Sequence, residues 1–493
     1  MFGSIFCIFQ RLEYANIFSM TLFFILMCLL MVLVSTYAFF GCFAVVVGKK
    51  VSADDSVLVG HNEQDGGKRI LNFRVIPRIE HEPGKLVKLV KGGTLPEVPM
   101  TYSFIWSENP GLEFSDMYIN EWGVTVASDG CWTREDSYND LVAYGDIVDG
   151  GIGYMLRRLM IQRAKTAREA IQVAGELLGH FGYSDSGRTI VVADPNEAWL
   201  LSIVRGKHWV AKRVPDDEVA ILPNVHIITD VNLDDTDNFM GAPDVIDYAI
   251  KKGWYDPSKP FSFRDAYNPP NQTGWDPRQW RGQSLIYAKT DERPETEQLP
   301  FSIKPDKKLD VAEVIKILRD HGPKGALCAS PTLEGAVFQL RNWMPPEIGC
   351  VYWRASAEPC TSVLIPWYLG ITDVPESYHK PVSIEKQLTV EHHINPPEET
   401  FDPDPNHTWW TFKELQDVVN SNYEVFVKEI REIWDEFEKK LYSDQCAIEA
   451  DALKLFTKDK DQARSYITEY SKSISRKAVE IADIQTRDLR LET

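Results

Sequence analysis

Apolar and β-branched positions come in short runs over the first half of the chain and at helical spacing over its last quarter. Residues 42–48 read CFAVVVG, residues 49–56 are polar and turn-like, and residues 57–60 are apolar again. That succession predicts a β-hairpin. Further strands are expected at 117–120, 123–128, 189–193, 198–204, 209–213 and 225–229. Between them, 152–163 and 166–180 repeat apolar side chains at the helical period and predict helices, with Gly182 and Gly187 punctuating the return to strand. Residues 231–300, rich in Asp, Pro, Asn and Trp, are expected to be long loops with short helices. Helical spacing returns at 311–321, 411–441 and 447–484. This order describes an α+β chain, with sheets covered by helices and a helical C-terminal segment over about residues 405–490. No linker divides it, so residues 42–493 are expected to form one domain.

The first forty residues differ from all of this. Residues 20–34, MTLFFILMCLLMVLV, carry no charge, and the small residues Thr36 and Ala38 follow, the pattern of a cleaved export signal. The run is short for a bilayer span, which needs roughly 20 residues. Residues 1–41 are therefore expected to be a signal peptide and propeptide. The mature chain would be exported to a periplasm, the medium or the cell surface. Membrane association would follow only if the segment stayed uncleaved.

Composition narrows the partners. With 493 residues, 44% of them hydrophobic, the chain can bury a large core. A formal charge of −19 repels nucleic acid and anionic membrane surfaces. Eight cysteines, at 7, 28, 42, 131, 328, 350, 360 and 446, show neither CxxC nor zinc-ligand spacing; Cys350 and Cys360 could pair in an oxidising compartment. His392-His393 beside Glu391 looks like a metal cluster, but adjacent strand residues face opposite ways and Pro396-Pro397 points to a loop. No metal and no cofactor is read from the sequence, and a homo-oligomer is left open.

The segment GCFAVVVGKKVSADDSVLVGHNEQDGG, residues 41–67, resembles the start of the bacterial cysteine-dependent dipeptidases. These belong to the N-terminal-nucleophile hydrolases, with secernins, penicillin V acylases and bile-salt hydrolases. Further matches run in the same order: Asn120-Glu121-Trp122-Gly123-Val124, LPNVHII (222–228), DPRQWRG (276–282), EPCTSVLIPWYLGITDVPESY (358–378) and Trp409-Trp410. The resemblance implies a four-layer αββα sandwich of antiparallel sheets, small peptides as substrates, and Cys42 as nucleophile once residues 1–41 are removed. The chemistry fits a terminal cysteine. An α-amino group of pKa about 7.7–8.0 can take the thiol proton, whereas an amide nitrogen inside a chain is no base. The Gly41–Cys42 bond must then be cut, and a residue without Cβ leaves its carbonyl open to the neighbouring sulfur.

The resemblance also assigns roles. Asn224 matches an oxyanion-hole asparagine, and Arg278 an arginine near the nucleophile, with Arg281 a further binding candidate one helical turn or loop step on. The acylase branch carries Gly-Arg-Asn-x-Asp after the second strand; here the residues are Gly60-His61-Asn62-Glu63-Gln64, then Asp65. His61 thus replaces the basic residue and Gln64 the carboxylate, with Glu63 or Asp65 as substitutes for the lost charge. Asn62 fits the pattern and fixes the strand end. Asn120 reads as a turn-bonding residue, while Asp129 and Cys131 fall where relatives line the substrate pocket. Three other readings stay open. An amidase of N-acyl amino acids or bile-salt-like conjugates would share the nucleophile, since specificity lies in pocket shape. Phe39-Phe40-Gly41-Cys42 is also a loose lipobox, and lipidation would consume both reactive groups to leave a non-catalytic surface lipoprotein. A homologue that has lost hydrolysis is the third, given His61 and Gln64.

Overall fold

The hairpin expected at the head of the mature chain forms. Phe43–Val47 (β1) pairs antiparallel with Val57–Gln64 (β2), and every residue of both strands is buried. The structure, a computed structural model, describes residues 41–65, 70–111, 117–272, 274–287, 298–322 and 325–492. The expected export segment lies outside the described residues. β1 also pairs with Val219–Leu222, and β2 with Thr332–Leu340, which leads through Cys350–Ser356 to Ile365–Tyr368 in a seven-stranded sheet. A second, eight-stranded sheet has Met117–Asn120, Thr125–Gly130, Arg188–Ala193, Ala198–Ile203 and Trp209–Arg213 at its middle.

The two sheets lie face to face, β1 against Thr125–Gly130 and β2 against Arg188–Ala193. Helices Met155–Arg163 and Ala167–Phe181 cover the second sheet. Val311–Leu318, Thr408–Ser421 and Lys460–Glu492 cover the first. This is the four-layer αββα order. Local sequence explains its helices. The Thr166 hydroxyl accepts from the Glu169 N–H to cap Ala167–Phe181, and Ala170, Ile171, Ala174, Leu177 and Leu178 make its buried stripe. Lys460–Glu492 instead buries small residues, among them Ala463, Ser471, Ser475, Ala478 and Ala482. Ser471 reaches the sheet directly, donating to the Pro366 carbonyl at 2.8 Å. Among the described residues no helix is long and apolar enough to cross a membrane.

Several expectations change. No strand forms at 225–229; the strand lies earlier, at Val219–Leu222, and Pro223, which has no N–H to donate, ends it. The segment beyond is held by a side chain instead. Asn268 accepts from the His226 N–H at 3.1 Å and donates to the His226 carbonyl at 3.0 Å. Thr332–Leu340, Cys350–Ser356 and Ile365–Tyr368 carry no period-2 signature because both of their faces are buried. The C-terminal helices break at Asn422 and after Phe456, giving Thr408–Ser421, Tyr423–Phe456 and Lys460–Glu492, where the pattern had placed 411–441 and 447–484.

Burial leaves an acid-sensitive mark on this core. It pushes His226 and His407 down to about 3, and His393 to about 2, from an ordinary 6.5. The unfolded chain takes up these protons below about pH 6.5, and the folded chain does not until about pH 3. Their contribution is therefore complete above pH 6.5 and is lost as pH falls, at up to about 1.4 kcal/mol per pH unit for each histidine. Urea midpoints should drop steadily from about pH 6.5 to about pH 4; a flat profile would contradict neutral burial.

Candidate active site

Strand alternation decides which side chains meet Cys42. In an antiparallel pair, opposed residues point to the same face and neighbours to opposite faces. Ala44 opposes His61 and Phe43 opposes Asn62, so Cys42, His61 and Glu63 share the face toward the second sheet. The Cys42 sulfur, a ring nitrogen of His61 and a carboxylate oxygen of Glu63 all lie within 4.8 Å of one another. The thiol donates to Glu63 Oε2 at 3.5 Å. Behind them, His61 Nε2 lies 3.6 Å from Asp129 Oδ2, contributed by the opposite sheet, and neither side chain is exposed. Cys42 keeps 8% of its surface open.

Asn62 and Gln64 face the other way. Asn62 Nδ2 donates to the carbonyls of Leu318 and Leu327 at 2.8 and 2.9 Å, and Gln64 Nε2 to Leu327 at 2.9 Å. These amides tie β2 to the loop after Val311–Leu318, in the outer layer. Gln64 therefore does not stand in for the missing carboxylate. Glu63, one of the two residues expected to replace the lost charge, is the acid at the sulfur.

The peptide bond ahead of Cys42 is held from outside the sheet. Asp276 caps the helix Pro277–Ile286, accepting from the N–H groups of Arg278 and Gln279 at 2.8 and 3.1 Å, and Pro277 begins its first turn. That places Arg278 Nη1 2.5 Å from the Gly41 carbonyl oxygen and 3.3 Å from that of Cys42. Its other nitrogen donates to Asn224 Oδ1. One N–H of Asn224 donates to the Gly130 carbonyl at 2.7 Å, and an amide nitrogen carries two hydrogens. A Cβ on Gly41 would come within 2.0 Å of Asn224 Oδ1 and 3.0 Å of its Nδ2. Glycine is the residue that fits there.

The remaining expected residues fall at different distances from this chemistry. Cys131 is buried, donates to Thr189 Oγ1 at 3.3 Å, and is pushed up to about 12 by burial, so it stays a thiol. Thr189 opposes Asp129 across the sheet and also contacts His226 Nδ1 at 3.1 Å, a buried polar floor that no sequence motif marks. Arg281 turns away to grip Asp320 with two bonds of 2.8 and 2.6 Å. Asn120 bonds turn backbone, accepting from Trp122 and Val124 and donating to Ile161 and Ala164. His392 and His393 lie in a short helix, not a strand, and their Nε2 atoms are 2.9 and 3.9 Å from Glu108 Oε1.

A thiol at a strand end, a buried acid beside it, and a carbonyl that accepts from Arg278, whose guanidinium also bonds Asn224, are parts an acyl-transfer site can use. The description of peptidase family C69 matches residues 41–436, beginning one residue before Cys42. The chain is 25% identical over 414 residues to a probable dipeptidase of Latilactobacillus sakei, covering 78% of this chain and 82% of that one. It is 26% identical over 393 residues to a dipeptidase of Bifidobacterium longum strain NCC 2705, covering 68% and 72%. Among solved structures it is similar to a conjugated bile acid hydrolase from Clostridium perfringens at 13% identity and a TM-score of 0.32, over 64% of this chain and 89% of that one. With the family description matched over most of its length, the chain belongs to peptidase family C69.

Proposed function

We propose that the chain is an exported cysteine dipeptidase whose nucleophile is the Cys42 thiolate and whose base is the α-amino group of the same residue, created by removal of residues 1–41. The observation that carries this reading is Gly41, its carbonyl gripped by Arg278 and its Cα packed so close to Asn224 that no side chain fits, beside a sulfur that faces Glu63. On this reading the Gly41–Cys42 bond takes the place of a substrate. Attack by Sγ on the Gly41 carbonyl carbon forms a C–S bond, Arg278 stabilises the oxyanion, and the C–N bond breaks as nitrogen takes the thiol proton. Water then cleaves the thioester to give a Gly41 carboxyl group and a free thiol.

Peptide hydrolysis repeats these steps on an external acyl group. The Cys42 amine takes the thiol proton, the sulfur attacks the peptide carbonyl, and the leaving amine receives the proton. Water then releases the acid from the thioester. Glu63 sits where it can hold the α-ammonium that forms in between. Tetrahedral oxyanions at both stages would draw hydrogen bonds from Asn224 and Arg278.

N-terminal sequencing with intact mass, coupled to a panel of dipeptides, N-acyl amino acids and bile-salt conjugates, tests this. Active protein should begin at Cys42 and prefer dipeptides. Gly41→Val should accumulate as inactive precursor, because its side chain would collide with Asn224. A fully active enzyme that retains Gly41, or one lipidated at Cys42, would end the proposal; preference for the conjugates would move it to the amidase reading.

A further inference from the structure

Away from Cys42, two thiols, an imidazole and a carboxylate converge that the mechanism does not use. His321 and Cys328 lie on the loop that follows Val311–Leu318, and Glu358 and Cys360 on the turn after Cys350–Ser356. One ligand atom from each, a ring nitrogen, two sulfurs and a carboxylate oxygen, falls within 4.8 Å of all the others. Cys328, Glu358 and Cys360 are buried, and His321 closes the cluster from the solvent side. We propose that these residues form a structural zinc site, with two thiolates, one imidazole and one carboxylate as its ligands.

The distances suit a tetrahedron. Zinc bonds of about 2.3 Å to sulfur, 2.0–2.1 Å to nitrogen and 2.0–2.2 Å to oxygen give edges of about 3.6 Å between S and O and about 3.4 Å between N and O. Here Cys328 Sγ is 3.8 Å, and His321 Nε2 3.7 Å, from the same Glu358 oxygen, Oε1. The other oxygen, Oε2, accepts from Asn420 Nδ2 at 3.0 Å, which turns Oε1 toward the cluster as outer ligand contacts do. The His321 ring packs on Tyr423, with centroids 5.0 Å apart. The two loops are also bound together without the ion: Arg319 donates to the carbonyls of Pro359 and Ser362, and pairs with Glu438. Thiolate, imidazole and carboxylate in four-fold array select zinc over the harder divalent cations.

The site would act on catalysis through the fold. The Asp320 carbonyl accepts from Leu327 and Cys328, and the Leu327 carbonyl receives both Asn62 and Gln64 of β2. An ion fixing His321 to Cys328 therefore fixes the loop against the strand that presents Glu63 to Cys42. It contacts no reacting atom, so its role is positional. Cys350 takes no part: it carries no disulfide, and its sulfur lies close to Gly123, in the turn between Met117–Asn120 and Thr125–Gly130.

The test is elemental analysis of the full mature chain purified without chelator, with cobalt substitution as a second readout. One zinc per chain is expected, and the cobalt form should show thiolate-to-metal charge transfer and a tetrahedral spectrum. Cys360→Ser and Cys328→Ser should each lose the band and at least tenfold in zinc affinity, while Cys446→Ser keeps both. Chelation should lower the melting midpoint of the wild type, and zinc should restore it. Binding should also survive in Cys42→Ala, which separates this site from the Cys42–His61–Glu63 cluster and from the fate of the catalytic proposal. Reduced wild type that takes up no added zinc, zinc that follows Cys42, or a Cys328–Cys360 disulfide in freshly purified protein would each overturn the assignment.

Discussion

Replacing Cys42 by alanine is expected, on the proposed mechanism, to lower dipeptide turnover by at least about 10⁴-fold, because a chain without its covalent nucleophile would keep only binding and oxyanion stabilisation. The measurement is best made on chain expressed to begin at residue 42, so that catalysis is read apart from processing. Folding should not suffer. The residue stands just ahead of β1, alanine removes only one sulfur atom, and the contact that sulfur makes with Glu63 is a long one, 3.5 Å. Cys42→Ser should fall nearly as far, since a hydroxyl is far less acidic than a thiol and the α-amino group is a weak base for it. A full melting transition with absent turnover is the expected pair of results. Turnover by Cys42→Ala above a tenth of wild type would place the nucleophile elsewhere.

What the sequence could show of this site was set by range. Cys42 and the hairpin are local patterns, and each sits where its pattern places it, whereas the capped helix carrying Arg278 lies in a stretch read only as long loops with short helices. The facing of residues 61–64 is not local. Aligning Gln64 with a family carboxylate treats the motif as a string, whereas the pleat sends Gln64 outward with Asn62 and turns Glu63 to the sulfur. Arg281 shows the same limit on a helix. One turn after Arg278 it still finds a different partner, because Asp320 comes from a loop that spacing cannot place. The long inner strands Thr332–Leu340 and Cys350–Ser356 hide for another reason. Their polar residues, Glu334 and Arg354, satisfy each other across the strand pair and with Ser107, so a buried strand carries charges that read as surface. Glu358 and the three donors around it come from two loops distant in sequence, and no spacing rule reaches them.

Asn224→Ala should lower kcat by about 10²–10³, with KM changed little, if the amide donates to the tetrahedral oxyanion more strongly than to the ground-state carbonyl. Two features give this substitution a discriminating readout. The Asn224 side chain has structural bonds, to the Gly130 carbonyl and from Arg278, so part of any loss will be displacement of the arginine. Asn224→Asp separates the two: it keeps an oxygen for Arg278 and removes the N–H. If the donor matters, Asp and Ala variants fall together; if anchoring Arg278 matters, Asp retains most of the rate. The precursor offers a second comparison, because the Gly41 carbonyl would use the same donors as a substrate. The rate of self-cleavage and kcat should therefore fall in parallel for each variant. A kcat within threefold of wild type for both variants would remove Asn224 from the oxyanion site and leave Arg278 as its donor.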